Sequence, residues 1–408
     1  MGIMDNTALS AVLKVQYTEK TVRDLTYPQN PLYAMMQKDT KMVGDYTALA
    51  LKIGTPQGRG ANFAVAQGNI TPSVYKKFQL TRVSGYAFAE ITGEAIDSSD
   101  TDAGALVKGL TGEIDGALQT DARAISIQMF GNGGGARGRI SAGSSVASTT
   151  ITLSNPADVT NFEDLMYVNL GSTDGTSGSK RTGVIQIVAL DRDAGTLTAS
   201  AAWNTITGAA AGDYIFQNGD FESANSCIAG LAGWIPLTAP GSTPWFSVDR
   251  SVDPTRLGGV RVTQYSGAPI ATVLTNLASK IALNGGSPDV AVMNPADWVR
   301  LDNELDTKGR YDKATSADDA AIGFDAITVM GPKGKIKVIS DLNCPQGIVY
   351  MLTLNTWKLH SLKGASRILD LDSNQLLRAA TSDSYQIRIG GYRNVGCVAP
   401  GWNGVGLL

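Results

Sequence analysis

The sequence predicts an α+β protein with a small all-β insertion. Three observations carry this reading. Apolar residues recur at period two, then at three-to-four spacing, then again at period two as the chain proceeds. One stretch of short strands, with turn residues every 8–12 positions, reads as a sandwich or barrel. Glycines bracket that stretch on both sides and mark it as an insertion into a larger domain. The 408 residues leave room for two or three domains and a sizeable core.

Residues 1–41 form the first segment, an N-terminal arm. Short helical patches around Pro28 and Pro31 carry Tyr27, Leu32, Tyr33, Met35 and Met36. This apolar cluster is too small for its own core, so the arm is expected to bind elsewhere. Residues 42–94 form an extended ribbon. Leu49, Leu51 and Ile53 share one face of a strand over 46–53, and Phe78, Leu80, Tyr86 and Phe88 alternate over 77–91. Between them lies Gly54 to Tyr75, rich in Gly, Pro, Gln and Asn. A ribbon with so long a tip is marginal alone in water and suggests a partner surface.

Residues 95–138 change period. Ser98, Ser99 and Asp100 offer helix caps, and Val107, Leu110, Ile114, Leu118, Ile125 and Met129 follow at helical spacing. Gly109, Gly112 and Gly116 lie on one face of this long helix. Each costs about 1 kcal/mol relative to Ala, so close backbone packing along that face is the expected compensation. The run Gly131 to Gly138 reads as a hinge. Residues 139–219 are the β insertion, with strands expected at 149–153, 183–191, 196–200 and 213–216. Residues 220–340 resume the main body. There a helix spans 271–283 and ends at Asn284-Gly285-Gly286, a buried strand spans 289–293, and Pro295 opens a second helix. Residues 341–408 hold strands near 348–352, 357–362 and 385–398, the last with a bulge expected at Gly390-Gly391.

Composition narrows the function classes. The net charge is −3, from 34 Lys plus Arg against 37 Asp plus Glu, which argues against a dedicated nucleic-acid binder. One His and three widely spaced Cys exclude a His-rich metal centre and a disulfide framework. No apolar run approaches the ~20 residues of a membrane span. The first residues lack the basic and apolar regions of a signal peptide, so a cytoplasmic origin is expected. Charged residues are only 17% of the chain, and 46 residues are glycine, both departures from ordinary soluble proteins.

The candidate motifs resolve to structure. His360 stands alone in an alternating segment and reads as a strand residue. The 131–138 run follows a helix, so it fails the context of a dinucleotide fingerprint. Gly331-Pro332-Lys333-Gly334-Lys335 lacks the first Gly and the final Ser/Thr of a phosphate loop. Asp302, Glu304 and Asp306 suggest a calcium loop, but the glycine is misplaced and Lys313 stands where the closing Glu belongs. No catalytic, cofactor or metal residue is assigned. The candidate functional residues are instead contacts between subunits (Arg59, Phe63, Tyr75, Lys76 and Lys77 on the ribbon, Tyr27 and Tyr33 on the arm) and hinges (Gly54, Gly133, Gly134, Gly135 and Gly219).

The order of parts resembles the major capsid protein of tailed bacteriophages, with the Hong Kong 97-type fold. Three segments carry the likeness: Pro288 to Trp298, a strand leading into a helix; Asp341 to Gly347 with the following strand and Thr356-Trp357-Lys358-Leu359; and Ile387 to Tyr392 through Ala399-Pro400-Gly401-Trp402. The resemblance implies an extended loop, a spine helix, a peripheral domain and an axial domain around capsomer centres. It implies assembly into hexamers and pentamers of an icosahedral shell around double-stranded DNA, with only weak contact to that DNA. It further implies a portal and a decoration or cement protein as partners, with assembly in the host bacterial cytoplasm; many members of the family lose an N-terminal scaffolding segment, whereas for this chain no such cleavage and a separate scaffolding protein are expected. An encapsulin-like compartment shell shares the fold and is the nearest alternative; a tail-tube or fibre protein is the alternative of another class.

Overall fold

The computed structural model describes residues 30–99, 109–265, 267–306, 327–369, 376–379 and 382–408. Tyr27 lies outside the described residues. Two sheets, a closed barrel and a two-stranded ribbon are joined by a long helix.

The described chain begins with a short helix α1 (Pro31–Met35) and strand β1 (Gln37–Asp39). Leu32 and Met36 are buried in the main core, and β1 pairs in parallel with β16 (Trp357–Ile368). The last part of the expected arm therefore packs on its own body. Asp341 fixes it by accepting the Leu32 N–H at 3.1 Å. Tyr33, expected between subunits, is half-buried against the same core, with Lys38 Nζ 4.4 Å from its ring centre.

The ribbon is β2 (Tyr46–Gly54) and β3 (Val74–Thr81), antiparallel in the register Leu49↔Phe78. Alternation sends Leu49, Ile53, Phe78 and Leu80 into the main core, so the ribbon's base lies flat on the body. Phe78 meets Trp234 edge to face at 5.0 Å, and Trp234 stacks on Phe246 at 5.5 Å. Gly54 still pairs with Val74, and Arg256 Nη1 donates to the Ile53 carbonyl at 2.5 Å. The tip carries helix α2 (Phe63–Gly68), capped by Asn62 Oδ1 accepting the Ala64 N–H at 2.9 Å.

Strand β4 (Val83–Thr92) leaves the ribbon and pairs with the long strand β18 (Ser384–Cys397). On the opposite side of β18 lie β16 and β17 (Leu376–Arg378). The bulge expected at Gly390-Gly391 sits on the partner strand instead. Register shifts between Leu362 and Arg367, where Lys363 and Gly364 take positive φ of 62° and 139°. Helices α3 (Gly93–Ser99) and α4 (Gly109–Phe130) follow. Ile114, Ala117 and Leu118 of α4 pack on Ile387 and Ile389 of β18. Farther along, Ile125, Met129 and Phe130 enter the main core.

The insertion is a closed six-stranded barrel. Its strands β5 (Ala136–Arg139), β6 (Thr150–Thr152), β7 (Tyr167–Gly171), β8 (Ile185–Asp191), β9 (Thr196–Ala199) and β10 (Tyr214–Gln217) follow in the order β5-β10-β7-β8-β9-β6. The Ile140↔Leu153 bridge joins the two ends of that order. Ile140, Phe162, Leu170, Ile187, Leu197, Trp203 and Ile215 fill it as a separate core. Strands β5 and β7 were not expected from the sequence. Two Arg and a Gly interrupt β5, and Asn169 and Gly171 interrupt β7, which blurs the alternation.

The remaining body begins at a one-turn helix α5 (Leu231–Trp234). It is a mixed sheet in the order β11-β19-β15-β12-β14-β13: β11 (Val260–Val262), β12 (Val290–Met293), β13 (Ile327–Gly331), β14 (Gly334–Ser340), β15 (Ile348–Leu352) and β19 (Gly404–Leu407). Helix α6 (Ile270–Leu283) buries Val273, Leu274, Leu277 and Ile281 against it and ends at Gly285, with φ +91°. Helix α7 (Pro295–Asp306) starts with Asn294 Oδ1 accepting the Ala296 N–H at 3.0 Å. Gly404 and Gly406 of β19 let α6 approach: a Cβ at either position would lie under 3 Å from a side chain of α6.

Candidate functional site: the assembly surfaces

Among the described residues no group of His, Cys, Asp or Glu could hold a metal ion. His360 is buried in β16, its Nδ1 3.3 Å from Asp39 Oδ2. Burial pulls its pKa below the ordinary value, and Asp39 opposes that shift. The three cysteines are free and buried, and burial raises each thiol, that of Cys397 to about 12. These groups are placed for packing, not for chemistry.

The ribbon supplies the most open surface. Phe63 is 84% exposed, Ile70 69% and Tyr75 65%. Arg59 and Lys77 are exposed and Lys76 is half-exposed. The pleat explains the division: inward residues anchor the base, so Tyr46, Ala48, Ala50 and Lys52 of β2, with Tyr75 and Lys77 of β3, face away from the body. Lys52 lies 5.8 Å from the Tyr75 ring centre and Lys77 lies 5.7 Å from that of Tyr46. Of the ribbon residues named from the sequence, Tyr75 and Lys77 share this outer face, where Lys52 and Tyr46, which pattern reading missed, join them; Lys76 alternates to the other side of the pleat, and Arg59 and Phe63 belong to the tip. Cross-strand register supplies those two partners, and the sequence alone does not print it.

The glycine face of α4 departs from expectation. Gly112 and Gly116 are exposed, and a Cβ at Gly116 would meet nothing within 4 Å. The close packing expected there is not made within the chain. Helix α4 buries the opposite side, through Ala117, Ile125 and Met129.

The glycine run also departs from expectation. Gly133 and Gly134 are buried, and Gly133 and Gly135 have φ of +97° and +89°. A Cβ on Gly134 would collide with the Asp174 carbonyl, and one on Gly175 would collide with Gly134. Asn132 Nδ2 donates to Asp174 Oδ2 at 2.7 Å beside this crossing. Arg137 donates to the Asn161 carbonyl at 3.2 Å and pairs with Asp220 at 3.4 Å. Arg123 of α4 pairs with Glu163 of the barrel at 3.3 Å. The expected hinge at Gly133, Gly134 and Gly135 is thus a packed joint. Gly219 alone, at φ +102° with nothing near its missing Cβ, has open space around it.

The fold has known counterparts. The capsid asymmetric unit of cyanophage A-1(L) matches with a TM-score of 0.55 at 12% identity, covering 96% of this chain and 96% of that one. The capsid of the native GTA particle matches with a TM-score of 0.52 at 10% identity, covering 97% of this chain and 94% of that one. The chain therefore has the Hong Kong 97-type capsid fold. A family model described as SU10 major capsid protein matches residues 203–388, from the end of the barrel into β18. Both likenesses are to capsid proteins: the solved structures share the fold, and the family model spans less than half of the chain. No curated protein matches the chain in sequence.

Proposed function

We propose that this chain is the major capsid protein of a tailed phage, forming the hexamers and pentamers of an icosahedral shell around double-stranded DNA. The match of residues 203–388 to a major capsid protein model is the observation that carries the reading. The open ribbon supports it: a folded chain that anchors the base of a ribbon and leaves Phe63, Ile70 and Tyr75 in water is built to meet another surface. Many modest contacts per subunit, repeated around a closed ring, then add to a stable shell.

In this reading residues 220–340 are mainly the axial domain at capsomer centres, and 42–94 are the extended loop. Residues 95–138 hold the spine helix of the peripheral domain, to which the chain returns after 341. The barrel over 139–219 faces outward. A portal, a separate scaffolding protein and decoration proteins are the partners, and assembly takes place in the host cytoplasm before the protein resides in the virion. The net charge of −3 suits a shell that does not grip the packaged phosphates.

Electron microscopy of the purified protein tests this. Closed shells that retain double-stranded DNA are expected when the chain is expressed with its phage. Shells filled with protein cargo would favour an encapsulin-like compartment, and tubes would favour a tail protein. The intact mass of the subunit from virions tests the scaffolding proposal: loss of tens of N-terminal residues would point to a fused, cleaved scaffold.

A further inference from the structure

An asparagine followed by glycine is chemically labile, because the missing side chain leaves the glycine nitrogen free to reach the preceding amide. The sequence holds four such pairs: Asn132-Gly133, Asn218-Gly219, Asn284-Gly285 and Asn403-Gly404. Three of them are engaged. The Asn132 amide is held at both atoms, with Nδ2 donating to Asp174 Oδ2 at 2.7 Å and Oδ1 accepting the Gly134 N–H at 3.0 Å. Asn284 Nδ2 donates to the Lys280 carbonyl at 2.9 Å, and the Gly285 N–H is committed to the Ala282 carbonyl at 3.0 Å. Asn403 is buried; its Oδ1 accepts from the Thr353 N–H and Trp357 Nε1, and its Nδ2 donates to Thr356 Oγ1 and the Ala399 carbonyl. The fourth pair differs. Asn218 and Gly219 are both exposed, at the middle of a turn that the Asp220 N–H closes on the Gln217 carbonyl at 3.0 Å. Among the described residues neither the Asn218 amide nor the Gly219 N–H has a hydrogen-bond partner, and the space beside Gly219 is open.

We propose that Asn218 is a site of spontaneous deamidation through a cyclic imide, with water as the co-reactant. The Gly219 nitrogen gives its proton to solvent base and attacks Cγ of Asn218. The N–Cγ bond forms, the Cγ–Nδ2 bond breaks, and the amide nitrogen takes a proton from water and leaves as ammonia. Water then opens the ring. Attack at Cγ restores the ordinary backbone with aspartate at this position; attack at the backbone carbonyl carbon leaves isoaspartate, with the chain running through the side chain. Nothing is oxidised or reduced, and no second copy or partner is needed. The position gives the change a consequence. Residues on both sides of the turn are held: Arg137 donates to Gln217 Oε1 and pairs with Asp220 at 3.4 Å, and Phe221 is buried against Phe216 with ring centres 4.7 Å apart. Cys227 Sγ donates to the Asp220 carbonyl at 3.3 Å. Aspartate would add a carboxylate to a cleft of about 410 Å³ already lined by Asp121, Asp220 and Glu222. Isoaspartate would also lengthen the backbone by a carbon between two held residues. Either product loads the joint that fixes the barrel to the body.

Storage of the folded chain at mildly alkaline pH, followed by peptide mapping with mass spectrometry and enzymatic labelling of isoaspartate, tests the site. The peptide holding Asn218 is expected to convert to a mixture of aspartate and isoaspartate about tenfold faster or more than those holding Asn132, Asn284 and Asn403, because engaged amides react only as often as local opening frees them. In denaturant the four are expected to convert at similar rates, since each is then a bare Asn-Gly pair. Equal conversion of the four in the folded chain overturns the proposal. So does an Asn218 that stays intact in the folded chain while it converts in the denatured one. A second measurement reads the joint. On storage the melting temperature of the parent is expected to fall, whereas that of Asn218→Ser, which has no amide to lose, stays constant. Asn218→Asp is expected to melt below Asn218→Ser, because its carboxylate joins Asp220 and Glu222. Equal losses on storage in the parent and in Asn218→Ser would place the ageing elsewhere in the chain and overturn the consequence drawn for the joint.

Discussion

Arg393 and Asp121 form the most enclosed charge pair among the described residues. Their side chains are each 3% exposed, with Nη1–Oδ2 at 2.8 Å and Nη2–Oδ1 at 2.5 Å. The pair ties β18 to α4 through a bidentate geometry that only Arg provides. Asp121→Ala is expected to destabilise the subunit by about 3–5 kcal/mol, because it strands a buried guanidinium. Asp121→Leu with Arg393→Met is expected to recover most of that loss, and a double-mutant cycle of chemical denaturation checks it. A second prediction concerns Asp158, at the junction between barrel and body. Burial pushes its carboxyl up from 3.8 to about 6, against the opposing effect of the Asn155 amide at 3.0 Å. The folded state thus favours the protonated acid. Its stabilising contribution is complete below the unfolded value of 3.8 and is lost as pH rises through about 6. Asp158→Asn is expected to flatten the stability profile across that window and to leave the variant more stable than the parent at pH 7. An unchanged slope in melting temperature between pH 4 and pH 6 would refute it.

At the scale of elements, period and punctuation carried the reading a long way. Helix α6 and strand β12 lie within a residue or so of their expected bounds, since their apolar residues repeat cleanly and Asn284-Gly285 closes the helix. The Pro295 start of α7 is legible for the same local reason. Strands β11 and β19 were not legible, because each is short and finds its partner across the whole chain, Val260 against Gly404. The role of glycine was misread twice, and both errors have one cause. A glycine shows that a side chain is absent but not what takes its place. At Gly134 a carbonyl from the barrel takes it; at Gly116 nothing in the chain does. Gly134→Ala is therefore expected to lower stability by about 1–3 kcal/mol through overpacking. Gly116→Ala in the unassembled subunit is expected to raise it by up to about 1 kcal/mol through helix propensity. Thermal melting of the two variants side by side checks the contrast. If Gly134→Ala melts like the parent, the joint is looser than the packing implies.

On the scale of the whole molecule, the described residues hold three large cores, besides the small cluster of α4 on β18. One lies under the ribbon, one between α6 and the mixed sheet, and one within the barrel. The barrel has no free edge, so it offers neighbours side chains and not strand pairing. Residues 136–217 expressed alone are expected to unfold in one cooperative transition, given their closed sheet and separate core; a gradual loss of signal on heating would count against that. Within the full chain the barrel is held at several points, by the Arg123–Glu163 and Arg137–Asp220 pairs and by the Asn132–Asp174 hydrogen bond. It therefore moves with the long helix. The low charge and high glycine content suit the proposed shell subunit, in which neighbouring copies cover much of the surface and glycine stands at close crossings.

The pairing of β5 with β10 has a practical consequence. These strands carry the chain into and out of the barrel, and they are adjacent and antiparallel, with Ile215 opposite Gly138. The body thus meets the barrel through two neighbouring backbones, whatever lies beyond them. A domain of different size or ancestry could be exchanged at this seam without disturbing the register of β4, β16 and β18. The same seam is a natural place to mount a foreign domain, displayed once per subunit.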